Sequence, residues 1–354
     1  MGKLKTLVVG CGNMGTSHAR AYHQLEGFEI VGLVSRGAKS REQLSNELGG
    51  IATFPEYAHA LEVTKPDVVS INTYPDTHFN YVKMALEANA HVFVEKPLAL
   101  TVKEAKTLVE LSQKQGKKMV VGYILRVHPT WVKFTRMAQT LGKPLVMRMN
   151  LNQQSSGSHW YTHKQLMKSM SPIVDCGVHY VDIMCSMTHS NPVSVSAIGA
   201  RLSNEIDADM YNYGQLQVRF EDGSVGWYEA GWGPMMSETA FFIKDVIGPN
   251  GCVSISDLNK GASDDVEGHS KTGSLKLHHS KLDAEGHFTK KDEIIDTAAD
   301  EPDHDGLCLL EQEYFLNAIV NNVDLTHHLN DAINSLKIVL AADASVRTGK
   351  TIDL

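Results

Sequence analysis

Apolar positions in the first third of the chain come in short runs, and each run is followed by a stretch with helical spacing. Leu4 to Val9 reads as a buried strand, and a helix is expected from about Asn13 to Leu25. Phe28 to Val34 and Ser40 to Leu48 repeat the pair. Val68 to Ile71 then leads to a helix from Thr77 to Ala88, with Thr77 as its N-cap. Val92 to Val94, Thr101 to Gln115 and Met119 to Gly122 complete the series as strand, helix and strand. Alternation of this length predicts a doubly wound parallel sheet with helices on both faces.

Beyond Gly122 the pattern changes. A helix from about Pro129 to Thr140 precedes Leu145 to Leu151, which alternates like a strand with one wetted face. Pro192 to Ala200, Leu216 to Phe220, Ser224 to Trp232, Ala240 to Val246 and Gly251 to Ile255 follow. Turns such as Glu221-Asp-Gly-Ser224 make this sheet largely antiparallel. Two amphipathic helices close the chain, Leu307 to Val320 and Asp331 to Arg347, the first capped by Asp305. The expected division is therefore an α/β domain over residues 1–122 and an α+β domain over 123–354.

Composition agrees with two soluble domains. The chain has 354 residues, 42% hydrophobic and 21% charged, more than one ordinary core holds. Its net charge of −8 comes without a basic block, which argues against nucleic acid as a partner. No run approaches the roughly 18 apolar residues of a membrane span, and no apolar signal region precedes the first strand. The cysteines at 11, 176, 185, 252 and 308 form no C-x-x-C pair, so free thiols in a reducing cytoplasm are the expectation.

Candidate chemistry collects at the ends of the first-domain strands. Gly10-Cys-Gly-Asn-Met-Gly15 sits between a strand and a helix, the context in which G-x-G-x-x-G binds a dinucleotide. Gly10 allows the tight turn, Gly12 the approach of a pyrophosphate, and Gly15 close packing of helix on strand; Asn13 and Met14 lie in the same turn. NAD proteins place a carboxylate at the end of the second strand. Here Ser35 and Arg36 stand there, with Lys39 and Arg41 nearby, which favours the 2′-phosphate of NADP while leaving NAD possible. Thr73, Tyr74 and Pro75, after the fourth strand, are placed along the nicotinamide half of the cofactor, with His78 beside them.

The stretch His91-Val-Phe-Val-Glu-Lys-Pro97 breaks from a buried strand into an acid, a lysine and a proline. Pro97 cannot donate a ladder hydrogen bond, so pairing stops and Glu95 and Lys96 fall at the strand's carboxyl end, where open parallel sheets bind ligands. Glu95, Lys96 and Pro97 count as cofactor contacts, and a partly desolvated lysine there is equipped to exchange a proton. In the second domain Asp175, His179 and Asp182 recur at i, i+4 and i+7. An acid one turn before a histidine orients the imidazole. The spacing lacks a second histidine ligand, so no metal is expected. His159-Trp-Tyr161, after the Gly/Ser-rich Ser155 to Ser158, reads as a loop over substrate, with aromatic faces suited to sugar rings. Tyr123, Arg126 and Tyr180 are further candidates. His278-His279, in a polar segment from Asp257 to Asp292, reads as a solvated strand end.

Gly10-Cys-Gly-Asn-Met-Gly15, Glu95-Lys-Pro97, Gly122-Tyr-Ile-Leu-Arg126 and Asp175-Cys-Gly-Val-His-Tyr-Val-Asp182 together resemble the glucose–fructose oxidoreductase, inositol dehydrogenase and MocA (Gfo/Idh/MocA) family, over nearly the whole chain. The resemblance implies a Rossmann domain joined to a substrate domain on an open antiparallel sheet, assembled sheet to sheet as a homodimer or homotetramer. It implies oxidation of a secondary hydroxyl, or reduction of the ketone, on a sugar or cyclitol. Carried over by position, Lys96, Asp175 and His179 are the catalytic residues. Lys96 holds the reacting hydroxyl, His179 takes its proton, and Asp175 binds the adjacent hydroxyl. Tyr123, Arg126, His159 and Trp160 complete the substrate set. Two alternatives share the fold. A sugar-sensing regulator would bind dinucleotide without reacting, and an NAD-dependent glycosidase would consume no net cofactor.

Overall fold

The computed structural model of the chain describes residues 2–236, 243–256, 272–297 and 301–354. They divide into two compact units. The first is Met1–Val127 with Pro302–Ile333, and the second is His128–Glu301 with Asn334–Leu354.

The first unit is built on six parallel strands: β1 (Leu4–Val9), β2 (Phe28–Val34), β3 (Thr53–Phe54), β4 (Val68–Ile71), β5 (His91–Glu95) and β6 (Met119–Gly122). Their order is β3-β2-β1-β4-β5-β6. Residues Val92, Phe93 and Val94 of β5 are fully buried, as expected of a strand covered on both faces. The helices are α1 (Asn13–Gln24), α2 (Ala38–Glu47), α3 (Tyr57–Thr64), α4 (Pro75–Glu87) and α5 (Val102–Lys114). Strand β3 and helix α3 were not expected; two-residue β3 is too short to leave a periodic signal. Pro75 occupies the first turn of α4 and Tyr74 its N-cap. Thr77 lies inside the helix, its hydroxyl donating to the Tyr74 carbonyl at 2.8 Å, so the expected cap is displaced by the proline's preset φ. Helix α5 is capped by its preceding residue, with Thr101 and Glu104 forming a reciprocal capping box.

Helix α10 (His304–Val320) also belongs to the first unit and lies along α1. Gln312 reaches His18, and a Cβ on Gly27 would meet Leu316 at 2.6 Å. Phe315 sits 6.2 Å from Phe93 between ring centroids. Asp303, not Asp305, caps α10 by accepting from the Gly306 N–H at 2.8 Å; Asp305 pairs with Arg20 instead.

The second unit carries β7 (Val146–Gln154), β8 (Pro192–Ala200), β9 (Tyr213–Phe220), β10 (Val225–Gly233), β11 (Lys244–Gly248), β12 (Gly251–Ser256), β13 (Ser274–His279), β14 (Glu293–Asp296) and β15 (Ile352–Asp353). The sheet runs β14-β13-β12-β11-β7-β10-β9-β8-β15 and is antiparallel except where β7 and β10 pair in parallel. One face is covered by α6 (Pro129–Gln139), the single turn α8 (Pro172–Asp175) and α9 (Gly177–Thr188). Packing is close. A Cβ on Gly177 would stand 2.8 Å from the Tyr228 ring, and one on Gly226 would stand 2.5 Å from Met184 sulfur. Tyr180 stacks on Tyr228 at 4.9 Å. Helix α11 (Thr326–Thr348) starts in the first unit and ends in the second. Residues 240–242 of the expected Ala240 to Val246 strand, and 257–271 of the polar segment, lie outside the described residues. His278 and His279 do end strand β13, paired with Asp292 and Glu293. No helix among the described residues is long and apolar enough to cross a membrane.

Candidate active site

Each glycine of the first turn meets a different constraint. Gly10 has φ +95°, and a Cβ there would lie 2.4 Å from the Asn72 carbonyl oxygen. A Cβ on Gly15 would lie 1.9 Å from the Gly10 carbonyl oxygen. Gly12 faces open space and is the N-cap of α1 with no side-chain cap. The first N–H groups of α1 therefore have no side-chain acceptor of that kind and suit an anionic ligand. Asn13 is exposed and Met14 half-buried beside this opening. The turn fits the pyrophosphate of a dinucleotide on its own geometry.

At the end of β2, Ser35 is half-buried and Arg36 and Lys39 are exposed. Arg41 Nη1 donates to the carbonyls of Ser35 at 2.9 Å and Arg36 at 3.3 Å, so its guanidinium is spent partly on the loop backbone. Past β4, Thr73 and Pro75 are half-buried and Tyr74 is 69% exposed. His78 is fully buried, with Nδ1 2.8 Å from the Pro97 carbonyl and Nε2 2.9 Å from the Thr73 carbonyl. Both partners are acceptors, so a neutral ring, with one N–H, satisfies one of them at a time. Burial holds its pKa below the ordinary histidine value.

Strand β5 ends as expected: its last pair is Glu95 with Gly122 of β6. Glu95 is buried, its Oε1 2.8 Å from His18 Nε2 and its Oε2 accepting from the Lys96 backbone N–H at 3.2 Å. Burial opposes ionisation of Glu95, yet His18 and the Lys96 charge hold its pKa below the usual carboxylate value. Lys96 itself is half-buried. Gln312 Nε2 donates to His18 Nδ1 at 2.9 Å, which leaves the ring proton on Nε2, facing Glu95. His18, Cys308 and Glu311 bring possible ligand atoms within 4.8 Å of one another, but both His18 nitrogens are already engaged. Burial and then the nearby Glu95 charge push the Glu311 pKa well up. Tyr123 is buried on β6's exit, its ring 6.2 Å from His328, and Arg126 donates to Asp331 at 2.8 Å.

In the second unit the expected continuous helix is broken at Cys176, between α8 and α9. Asp175 ends the first piece and is half-buried; His179 lies in the first turn of the second and is buried. Asp182 is fully buried, as is most of α9, so these residues do not form a solvated helix side. Beside Asp175 is a polar cluster that sequence reasoning missed. Trp232 Nε1 donates to Gln153 Oε1 at 2.7 Å, and Cys176 Sγ approaches Gln153 at 3.5 Å and Asp175 Oδ2 at 3.6 Å. His163 stacks on Trp232, 4.3 Å apart and 7° from parallel, and bonds the Ser155 hydroxyl at 3.0 Å. Burial pushes the His163 pKa down to about 4, against the pull of Asp175. His159, Trp160 and Tyr161 are not in a loop but in α7 (Gly157–Leu166). His159 and Tyr161 are exposed, whereas Trp160 is buried with Nε1 donating to Glu205 at 3.2 Å. Gly157, at φ +53°, lets the Ser-rich run turn directly into that helix.

The first unit's sheet order and glycine turn are those of a nucleotide-binding domain, and comparison with known proteins agrees. Residues 4–123 match the GFO_IDH_MocA model, described as an oxidoreductase family with an NAD-binding Rossmann fold. Residues 135–243 match the GFO/IDH/MocA C-terminal domain. The chain belongs to the GFO/IDH/MocA oxidoreductase family. Scyllo-inositol 2-dehydrogenase (NAD(+)) of Bacillus subtilis is 26% identical, over 99% of this chain and 96% of that protein. UDP-N-acetylglucosamine 3-dehydrogenase of Acidithiobacillus ferrooxidans is 29% identical, over 55% of this chain and 58% of that protein. In fold, the chain matches an oxidoreductase from Agrobacterium radiobacter, solved with NAD+, L-tartaric acid and magnesium, at a TM-score of 0.80 and 16% identity, covering 99% of this chain and 98% of that one. The family membership accounts for the Rossmann-type sheet order and the glycine turn of the first unit.

Proposed function

We propose that this oxidoreductase interconverts a secondary hydroxyl and a ketone on a sugar or cyclitol, with NADP preferred over NAD. The observation that carries the reading is the turn after β5, where half-buried Lys96 follows buried Glu95 at the carboxyl edge of a dinucleotide-type sheet. The names of the relatives, an inositol and a nucleotide-sugar dehydrogenase, support the substrate class. When bound, the nicotinamide would supply the hydride acceptor or donor.

Lys96 holds the reacting hydroxyl through its ammonium and lowers the cost of losing the proton. His179 accepts that proton, and Asp175 binds the neighbouring hydroxyl, which orients the carbinol. The preference for NADP rests on Ser35, exposed Arg36 and Lys39, and the absence of a carboxylate at positions 34–36. Assembly through the second unit's sheet belongs to the same reading. It is supported by Val146, Val225 and Ile247, which are cross-strand neighbours and exposed.

A panel of sugars, cyclitols and nucleotide sugars, offered with NADP+ and NAD+ and followed at the nicotinamide absorbance band, tests the function. Turnover of at least one polyol with net cofactor reduction is expected. Dinucleotide binding without any turnover would favour a sensor, and release of free sugar without net reduction would favour a glycosidase.

A further inference from the structure

We propose that two buried histidines, His18 and His78, clamp the turn that carries Lys96 from its two sides and act as positioning residues for it. The proposal rests on Lys96 being the proton-handling group of the reading above.

On one side the anchor is a chain of hydrogen bonds that crosses three elements. Gln312 of α10 donates to His18 Nδ1 at 2.9 Å, His18 of α1 donates from Nε2 to Glu95 Oε1 at 2.8 Å, and Glu95 Oε2 receives the Lys96 backbone N–H at 3.2 Å. The amide nitrogen of Gln312 can only donate, so Nδ1 carries the lone pair and Nε2 the proton. His18 is fully buried and packs its ring 4.7 Å from Phe93, which leaves it little room to turn. On the other side His78, also fully buried, lies between the Pro97 carbonyl at 2.8 Å and that of Thr73 at 2.9 Å, its one N–H bonding either while the ring packs between the Lys96 turn and the loop after β4. Lys96 thus lies between two residues that are each fastened by a histidine with no surface of its own. The titratable groups facing His18 are Glu95 from β5 and Cys308 and Glu311 from α10. Those bearing on His78 are Glu95 and Asp76.

The clamp has an electrostatic consequence as well as a geometric one. A hydrogen bond donated to a buried carboxylate favours its charged form, and a charged Glu95 beside Lys96 favours the ammonium. Removing the His18 donor should let Glu95 take up a proton, and the titration midpoint of Lys96 should fall.

A substrate-free experiment reads this directly. The Lys96 ε-carbon resonance in isotopically lysine-labelled protein, assigned by its disappearance in Lys96→Met, is followed against pH. In His18→Leu its midpoint is expected to fall by about half a pH unit or more, and in His18→Gln, which keeps a donor of similar reach, to return close to wild type. Gln312→Leu, which removes only the donor to Nδ1, serves if His18→Leu does not fold, and should move the midpoint in the same direction. With a substrate identified by the panel, kcat should fall about 10–100-fold in His18→Leu while KM and the NADPH dissociation constant stay within about threefold. An unmoved Lys96 midpoint in both His18→Leu and Gln312→Leu would overturn the clamp while leaving the proposed function standing. Wild-type turnover in Lys96→Met would instead overturn the role of Lys96, and the clamp with it.

Discussion

The carbonyl oxygen of Gly10 stands 1.9 Å from where a Cβ on Gly15 would be. Strand end and helix start therefore touch through bare backbone, and no side chain fits between them. Gly15→Ala should either unfold the first unit locally or push α1 away from the turn. The expected result is a melting temperature lower by several degrees together with loss of measurable NAD(P)H binding. Gly12→Val is the contrast. With open space around Gly12, the variant should melt like wild type and still lose cofactor affinity, read by NADPH fluorescence enhancement.

Cofactor choice is testable at one position. Ser35→Asp places a carboxylate where a 2′-phosphate would lie, and should shift the ratio of kcat/KM for NADP+ and NAD+ toward NAD+ by about 10–100-fold. A wild-type enzyme that already prefers NAD+ would refute the NADP assignment before any variant is made.

His179→Gln removes the proposed proton acceptor and keeps much of the volume. Turnover should fall about 10²–10⁴-fold with cofactor binding unchanged, and the pH dependence attributable to that group should vanish from the kcat/KM profile. Asp175→Asn should act chiefly on KM for the polyol. Retained turnover in His179→Gln would assign the proton to another group.

Acid should weaken the first unit through two histidines, one half-buried and one buried. The Lys118 N–H donates to His91 Nδ1 and the Val121 N–H to His328 Nε2, both at 2.9 Å, so each ring needs its lone pair. Burial, with help from Lys117 and Lys118, pushes the His91 pKa down to about 4. Burial and then Arg126 hold His328 well below the ordinary value. An unfolded histidine titrates near ~6.5, so below that pH the unfolded chain binds protons that the folded one refuses. Stability should therefore fall as pH drops from about 6.5 toward 4, on the order of 1–3 kcal/mol from His91 and in the same direction from His328. Urea midpoints at several pH values should show this decline, and His91→Asn should flatten it.

The last prediction separates a buried network from an exposed pair. Asp343 is buried and accepts from the Ser171 hydroxyl at 2.7 Å and from the Tyr211 hydroxyl, with Arg347 at 3.2 Å. Asp343→Ala removes the acceptor shared by two buried hydroxyls, which are left with each other at 2.9 Å, and should cost about 1–3 kcal/mol in a denaturant titration. Arg148 and Asp245 pair across strands at the surface, and Arg148→Ala should cost under about 1 kcal/mol.

What the sequence made legible was whatever repeats at short range. Strands β2, β4 and β8 fall where their apolar runs begin and end, because period and length report burial directly. The Ser155 to Ser158 run misled, since a Gly/Ser-rich stretch predicts a loop, whereas Gly157 only starts α7. Asp182 also misled. Helical spacing puts it near His179 on one side of α9 but says nothing of what covers that side, and it is fully buried. His18 carried no signal. Its partners Glu95 and Gln312 lie 77 and 294 residues away, and only the packing of α1 against α10 brings the three together. Gln153, His163 and Trp232 escaped for the same reason.

The contact between α1 and α10 also has a bearing on biosynthesis. A nascent chain that has just released residues 1–127 from the ribosome holds all six strands of the first sheet, yet α1 at His18 and the turn after it at Gly27 still lack their α10 partners. Its cover is encoded 294 residues after His18. From Val127 to Gln312 (312 − 127 = 185 residues) synthesis takes on the order of 10–40 s at bacterial or eukaryotic translation rates. Through that interval the young domain is a client for any chaperone that reads exposed apolar helix, and it matures only when the chain is nearly finished.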